Sequence, residues 1–363
     1  MAEYEVYISD PLGNRLGTLS GFERMDWTRV INDVGTLTLR FGEEQTDWRL
    51  FDVDRRVEVW RVLPGGISRL VRVYFLRYIR RQTDHRGRTT ILLQGRDAND
   101  LLRRRIIDAD AGDNDALKTL HADSLIKSYF DHELGSDAST DDRDMTKYGL
   151  TKEPNFDLGV TITMDAARRN LLMVCQDICD AAAAKGERLY FDIVSPTPAT
   201  LQLQTFVGRR GADRRGTQRP FSLLAGTLAQ AAVERDWTEA ANYIYAAGQG
   251  SGGGREIVEV YDDLAVSESP WARCEYLADG RMNSTTDALT DYGYKMLQER
   301  KAKVRFEAWL VDGPGARFQL DWDFGDLVTA EYGDEKWDCE VRAVHGIVSA
   351  GEETIEARLD HVA

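Results

Sequence analysis

Lysine is scarce in this chain: there are nine, against 37 arginines, and none among the first 107 residues. That preference fits a GC-rich genome as readily as a function, so it excludes nothing alone. Cysteine is also sparse, with four residues and no CxxC pair. Cys175 and Cys179 stand one turn apart in an apolar segment, and Cys274 and Cys339 are isolated. The expectation is four buried thiols in a reducing compartment, with no metal site and no disulfide. Long apolar runs are missing, and none approaches the ~18 residues that a bilayer span needs. The opening MAEYEVYISD is acidic and strand-like, so no secretory leader is expected there. The histidines (His85, His121, His132, His345 and His361) form neither HExxH nor HxH, and no GxSxG elbow occurs. With 61 carboxylates, chance pairs abound, so no glycosidase-like pair stands out. No enzyme activity, cofactor or metal is expected.

What is present is acidic and divided. The formal net charge is −15, yet residues 1–107 carry +4 and the remainder −19. The overall sign disfavours non-specific DNA affinity. With 42% hydrophobic and 29% charged residues, the composition is that of a soluble globular protein, and 363 residues suffice for two or three domains.

The most structured stretch is FERMDWTRVINDVGTLTLRF at 22–41. Asn32, Asp33 and Gly35 suit a tight turn. Leu37, Leu39 and Phe41 then alternate with Thr36, Thr38 and Arg40, the period of a half-buried strand. Further strands are expected at 4–9, 56–63, 69–80 and 88–95, separated by turns at Asp10–Gly13, Pro64–Gly66 and Asp84–Gly87. Residues 115–134 read as a helix with a stripe of Leu117, Leu120, Leu125, Ile126 and Phe130. The polar stretch 135–159 reads as a long exposed loop. A second helix is expected at 164–185, with Asp165 near its start and Gly186 ending it, followed by a hairpin of 188–194 and 200–206. From 233 the pattern returns to strands, interrupted by one helix near 284–303. The expected class is therefore mainly β with an α+β insertion: two small β-barrel-like domains at 1–107 and 233–363 around a mixed domain at 108–232.

Two segments mimic ligand sites. Gly248–Gly253 matches GxGxxG, but an alternating strand follows, not the helix whose N-terminus would hold a pyrophosphate. Asp108–Asp115 looks like a calcium loop, but the sixth and twelfth positions, Asp113 and Thr119, are wrong for an EF-hand. A glycine hairpin tip and a solvated acidic linker are expected instead.

The Arg-rich stretch 55–88 interleaves ten arginines with Trp60, Tyr74, Phe75 and Tyr78. It could form a single-strand nucleic-acid groove. The preferred reading places Val71, Val73 and Phe75 in the core and arginines outside, where their stems cover apolar surface. Arg72, Arg77, Arg80 and Arg81 are the candidate interface residues.

Five segments occur in a telling order: DPLGNRLGTLSGF, the NDVG hairpin, GRDANDLLRRRII at 95–107, NYIYAAGQGSGGGR at 242–255 and DWDFGDLV at 321–328. This order resembles the tail hub proteins of long-tailed bacteriophages, related to the myophage baseplate hub and to the N-terminal part of siphophage tail-associated proteins. The resemblance implies a structural virion protein of the tail, a homotrimer whose paired barrels form a six-fold-like ring on the tail tube. The implied partners are a tail tube or distal tail ring protein, the tape-measure protein, and a separate tip, fibre or receptor-binding protein. DNA would pass through without specific binding. Larger relatives carry a fibre or hydrolase extension, and the resemblance implies that separate proteins would supply those roles here. Two other readings are a nucleic-acid-binding β-barrel protein using strands 55–88 and a tail-tip cell-wall hydrolase.

Overall fold

The computed structural model describes residues 3–19, 21–216, 220–310 and 315–362. Seven strands open the chain: β1 (Glu3–Ser9), β2 (Arg15–Leu19), β3 (Arg24–Val30), β4 (Thr36–Gly42), β5 (Arg56–Leu63), β6 (Ile67–Thr83) and β7 (Thr89–Asp97). In β4, Leu37, Leu39 and Phe41 are buried and Thr36 and Arg40 exposed, as the alternation requires. Asn32 supplies the positive φ of the preceding turn, at 55°. β2 was not among the strands expected; β3, which buries Met25 and Trp27 between polar residues, is the first arm that the NDVG hairpin implies.

A short helix, α1 (Asp100–Arg103), leads into the insertion, which holds β8 (Leu117–His121), α2 (Ala122–Leu134), β9 (Leu150–Lys152), β10 (Thr161–Asp165), α3 (Leu171–Ala184), β11 (Leu189–Thr197) and β12 (Thr200–Val207). Three local expectations are corrected. Leu117 and Leu120 lie in β8, paired with β10, because α2 begins at Ala122. Asp165 ends β10, while Asn170 caps α3 through its side-chain oxygen. The stretch 135–159 is not wholly loop, since β9 within it pairs in parallel with β12. Leu125, Ile126, Phe130, Leu171, Val174, Cys175 and Ile178 pack one core.

After β13 (Phe221–Ser222) and β14 (Leu228–Asp236), a small unit forms from β15 (Tyr243–Ala247), β16 (Ile257–Tyr261), α4 (Asp263–Glu268), β17 (Glu275–Asp279) and α5 (Thr286–Glu299). Its three strands order as β16–β15–β17, apart from the main sheet, and pack Ile244, Val260 and Ala278 around a core with Met296 and Leu297 of α5. This segregated unit was not foreseen, because its strands alternate like those of its neighbours.

The chain closes with β18 (Lys303–Leu310), β19 (Leu327–Tyr332), β20 (Glu335–Ser349) and β21 (Glu352–His361). The mainly β class with a mixed middle holds. The two β regions, however, do not stand apart: among the described residues they share a 13-stranded sheet whose path runs β14–β18–β21–β20–β3–β4–β7–β6–β5–β1–β2, and no closed barrel is found. The join is β3 against β20, from Arg24–Ser349 to Val30–Ala343. Both regions also share a core, in which Trp27 stacks on Phe318 with centroids 5.7 Å apart. Gly346 makes that approach possible, since a Cβ there would sit 2.2 Å from the Trp27 indole.

Candidate functional site

Four of the five motif segments lie at junctions where the insertion meets the sheet, and the fifth, at 242–255, belongs to the small unit. β11 is an edge strand of the insertion's own sheet, so its outward backbone groups need partners. Two asparagine amides supply them. The Asn32 oxygen accepts from the Phe191 amide at 2.9 Å, and its nitrogen donates to the Leu189 carbonyl at 3.2 Å. The Asn99 oxygen accepts from Ile193 at 2.8 Å while its nitrogen donates to the Asp33 carbonyl. The NDVG and GRDAND segments thus stand in for a neighbouring strand.

Behind these amides lies an ion network. Arg72 donates to Asp97 at 2.9 Å and to Asp192 at 3.0 Å, and Arg210 donates to Asp192 at 3.0 Å. Burial raises both carboxyls. At Asp192 two guanidiniums outweigh it and hold the group well below the usual carboxylate range. Asp97 has Arg72 alone and the charge of Asp192 beside it, and is pushed up to about 6.

The other segments behave alike. Asp10 accepts from the Leu12 and Asn14 amides, shaping the DPLGN turn. Gly13, at φ 86°, meets the tip of the β11–β12 hairpin so closely that a Cβ would lie 2.5 Å from Ala199. Buried Arg56 joins three segments by donating to the carbonyls of Pro11, Tyr148 and Pro198 at 2.7–2.9 Å. Asp326 accepts from the amides of Ala212 and Asp323 at 2.7 and 2.8 Å and pairs with Arg214, so the GD of DWDFGDLV clamps the segment after β12. Arg255 reaches back from the glycine tip to the carbonyls of Ala247 and Gly248, and β16 follows one 3-10 turn later. Asp108 and Asp110 of the calcium-like loop both pair with Arg168.

The candidate interface residues separate. Arg72 points inward, not outward as alternation suggested; it is 7% exposed. Asp97, 25 residues away, and Asp192, 120 away, compensate its charge, and neither pairing is visible locally. Arg77, Arg80 and Arg81 lie on the exposed end of the β6–β7 ribbon. Arg77 pairs with Asp54 and Arg81 with Glu43, both at 2.9 Å. Arg80 meets no carboxylate among the described residues and lines a cavity of about 330 Å³ with Arg40, Arg88 and Asp84. Of the interleaved aromatics, Tyr74 and Phe75 are core, Trp60 is half-buried and Tyr78 is exposed. Cys175, Cys179 and Cys339 are buried as expected, but Cys274 is exposed. No described helix is long and apolar enough to cross a membrane.

This fold is shared with phage and prophage tail proteins. A tail protein from Neisseria meningitidis MC58 superposes with a TM-score of 0.59 at 14% identity, covering 99% of this chain and 96% of that one. The 43 kDa tail protein of prophage MuSo2 from Shewanella oneidensis gives 0.60 at 11%, covering 99% and 98%. Prophage tail protein gp18 from Listeria monocytogenes gives 0.55 at 10%, covering 98% and 94%. The chain belongs to the Siphovirus ReqiPepy6 Gp37-like protein family, whose model matches residues 5–359. Among curated protein sequences none matches. The kinship with tail proteins of long-tailed phages expected from the ordered motifs therefore holds.

Proposed function

We propose that this chain is a structural component of a virion tail, a hub that joins the tail tube to the distal tip as a homotrimer. The observation that carries the reading is family membership over 5–359 together with the tail-protein fold across nearly all of the chain. The motif residues support it: they hold segments together at buried junctions and converge on no reactive centre. The division at 1–107, 108–232 and 233–363 is kept as a functional proposal, with the two outer parts presenting the tube-side face and the insertion the tip side.

Register supports that polarity. β7 runs from the ribbon tip at Thr89 to the insertion seam at Asp97, roughly 25–30 Å along its axis. The tip of the basic ribbon, with Arg80 and Arg81, and the acidic insertion thus lie toward opposite ends of β7, while Arg77 sits nearer the seam and shares Asp54 with Arg104. In this reading the ribbon contacts a tail tube or distal ring protein, and the insertion contacts a separate tip, fibre or receptor-binding protein, with the tape-measure protein adjacent. DNA passes without specific binding, and the role is structural, not enzymatic.

Light scattering of the chain, alone and with the tube-side protein encoded beside it, tests the reading. The expected mass is three times 41.0 kDa. A monomer that never assembles with that protein would overturn it.

A further inference from the structure

We propose that the cleft at the base of the small unit is a docking groove for a partner protein segment that carries an apolar or aromatic anchor flanked by lysine or arginine. The cleft holds about 830 Å³, within the range of specific binding pockets, and Trp237, Tyr261, Pro270, Leu297 and Cys274 contribute to its walls. Trp271 and Leu264 stand near it at 88% and 64% exposure, and Trp237 itself is 59% exposed. Large apolar side chains this open, clustered around one concavity, mark an interaction surface, and tryptophan is the residue type most enriched at binding hot spots.

Charge selects the occupant. Asp262 and Glu268 line the cleft and Asp263 adjoins them in sequence, against one lining cation, Lys301. Lys301 approaches Asp262 at 3.8 Å, whereas Asp263 and Glu268 meet no cation among the described residues. An acidic wall repels anionic lipid and nucleic acid and attracts a cationic peptide. The inference does not depend on the hub reading. A trimeric hub with an inert groove would sink this proposal alone, and a monomer that binds peptide here would sink the other alone.

The groove contains its own reporter site. Cys274 is exposed while Cys175, Cys179 and Cys339 are buried, so a thiol-reactive, environment-sensitive dye attaches at the groove. A random twelve-residue peptide library is selected on the unlabelled full chain and counter-selected on a Trp271→Ala/Glu268→Lys variant. Enriched peptides are expected to carry Trp, Phe or Leu beside Lys or Arg and to shift the dye saturably. Trp271→Ala and Glu268→Lys should each weaken binding by about tenfold or more. Both positions lie outside the cores, so an unchanged melting curve separates loss of the groove from loss of the fold. The proposal is overturned if the selection yields no binder, if the binders are acidic or uncharged, or if they bind both single variants as they bind the parent chain.

Discussion

From Val71 to Leu76 every residue of β6 is buried, on both faces of the strand, whereas from Arg77 to Thr83 none is fully buried. Arginine occurs in both halves and does opposite things. Arg72 in the first half lies buried between two buried carboxylates from distant segments. Arg77 and Arg81 in the second half each meet one half-buried carboxylate, and Arg80 meets none among the described residues. The contrast teaches that an arginine's role here depends on which distant element covers its strand: the insertion lies over the first half and leaves the second bare.

The comparison can be broken most directly at Arg72. Arg72→Ala would leave Asp97 and Asp192 buried with less compensation and should destabilise the chain by about 3–5 kcal/mol in denaturant titration. A loss as small as that of a surface arginine would mean the seam is wet. Phe41→Ala, fully buried two strands away, provides an apolar reference and should also cost about 3–5 kcal/mol.

The pH dependence sharpens the same point. The Asp97 carboxyl titrates at about 6 in the folded chain and near 3.9 when unfolded, so the folded state holds the extra proton between those values. Its contribution to stability is therefore full below about pH 4 and is lost as pH rises through about 6. Asp192 works in the opposite direction, its contribution being lost as pH falls below the usual carboxylate range. In Asp97→Asn the decline between about pH 4 and 6 should flatten; an unchanged slope would assign it to another group. The smallest effect belongs to the exposed half. Arg80→Ala should shift stability by no more than about 0.5 kcal/mol. If the ribbon docks a tube-side protein, the same change lowers that association and its salt dependence.

Much of this was legible locally. β4 follows from alternation, the extent of β6 from the turns that bound it, and α3 from its apolar stripe and Gly186. The order of motif segments pointed to the tail-protein kinship. What escaped depends on contacts across the chain. Arg72 reads as surface until Asp192 arrives. Leu117 and Leu120 fit a helical stripe until β10 claims them as a strand. Cys274 looks like its buried counterparts because nothing nearby marks the residue before β17 as bordering an open cleft. The expectation of two barrels treated each β region as sufficient to itself, and alternation alone carries no sign that β3 and β20 would pair. Asn32 reads as a turn residue and Asn99 carries no reading of its own; their use as surrogate strand partners has no local signature.

The β3–β20 join has a consequence for how the chain comes into being. Tyr4 reaches Glu353 across 349 residues, and Arg61 pairs with the same carboxylate at 2.7 Å. During synthesis, β3 emerges long before its partner exists, so its outer edge and the indole of Trp27 must wait uncovered through several hundred residues of elongation. The insertion, which packs a core of its own, can begin to collapse in that interval. The sheet cannot finish, because its most sequence-distant pairing is also its central one, and ordering so long a loop is slow. Over that time the nascent chain carries an adhesive strand edge, and its yield in a cell should depend more on chaperone supply and translation speed than its final stability would suggest.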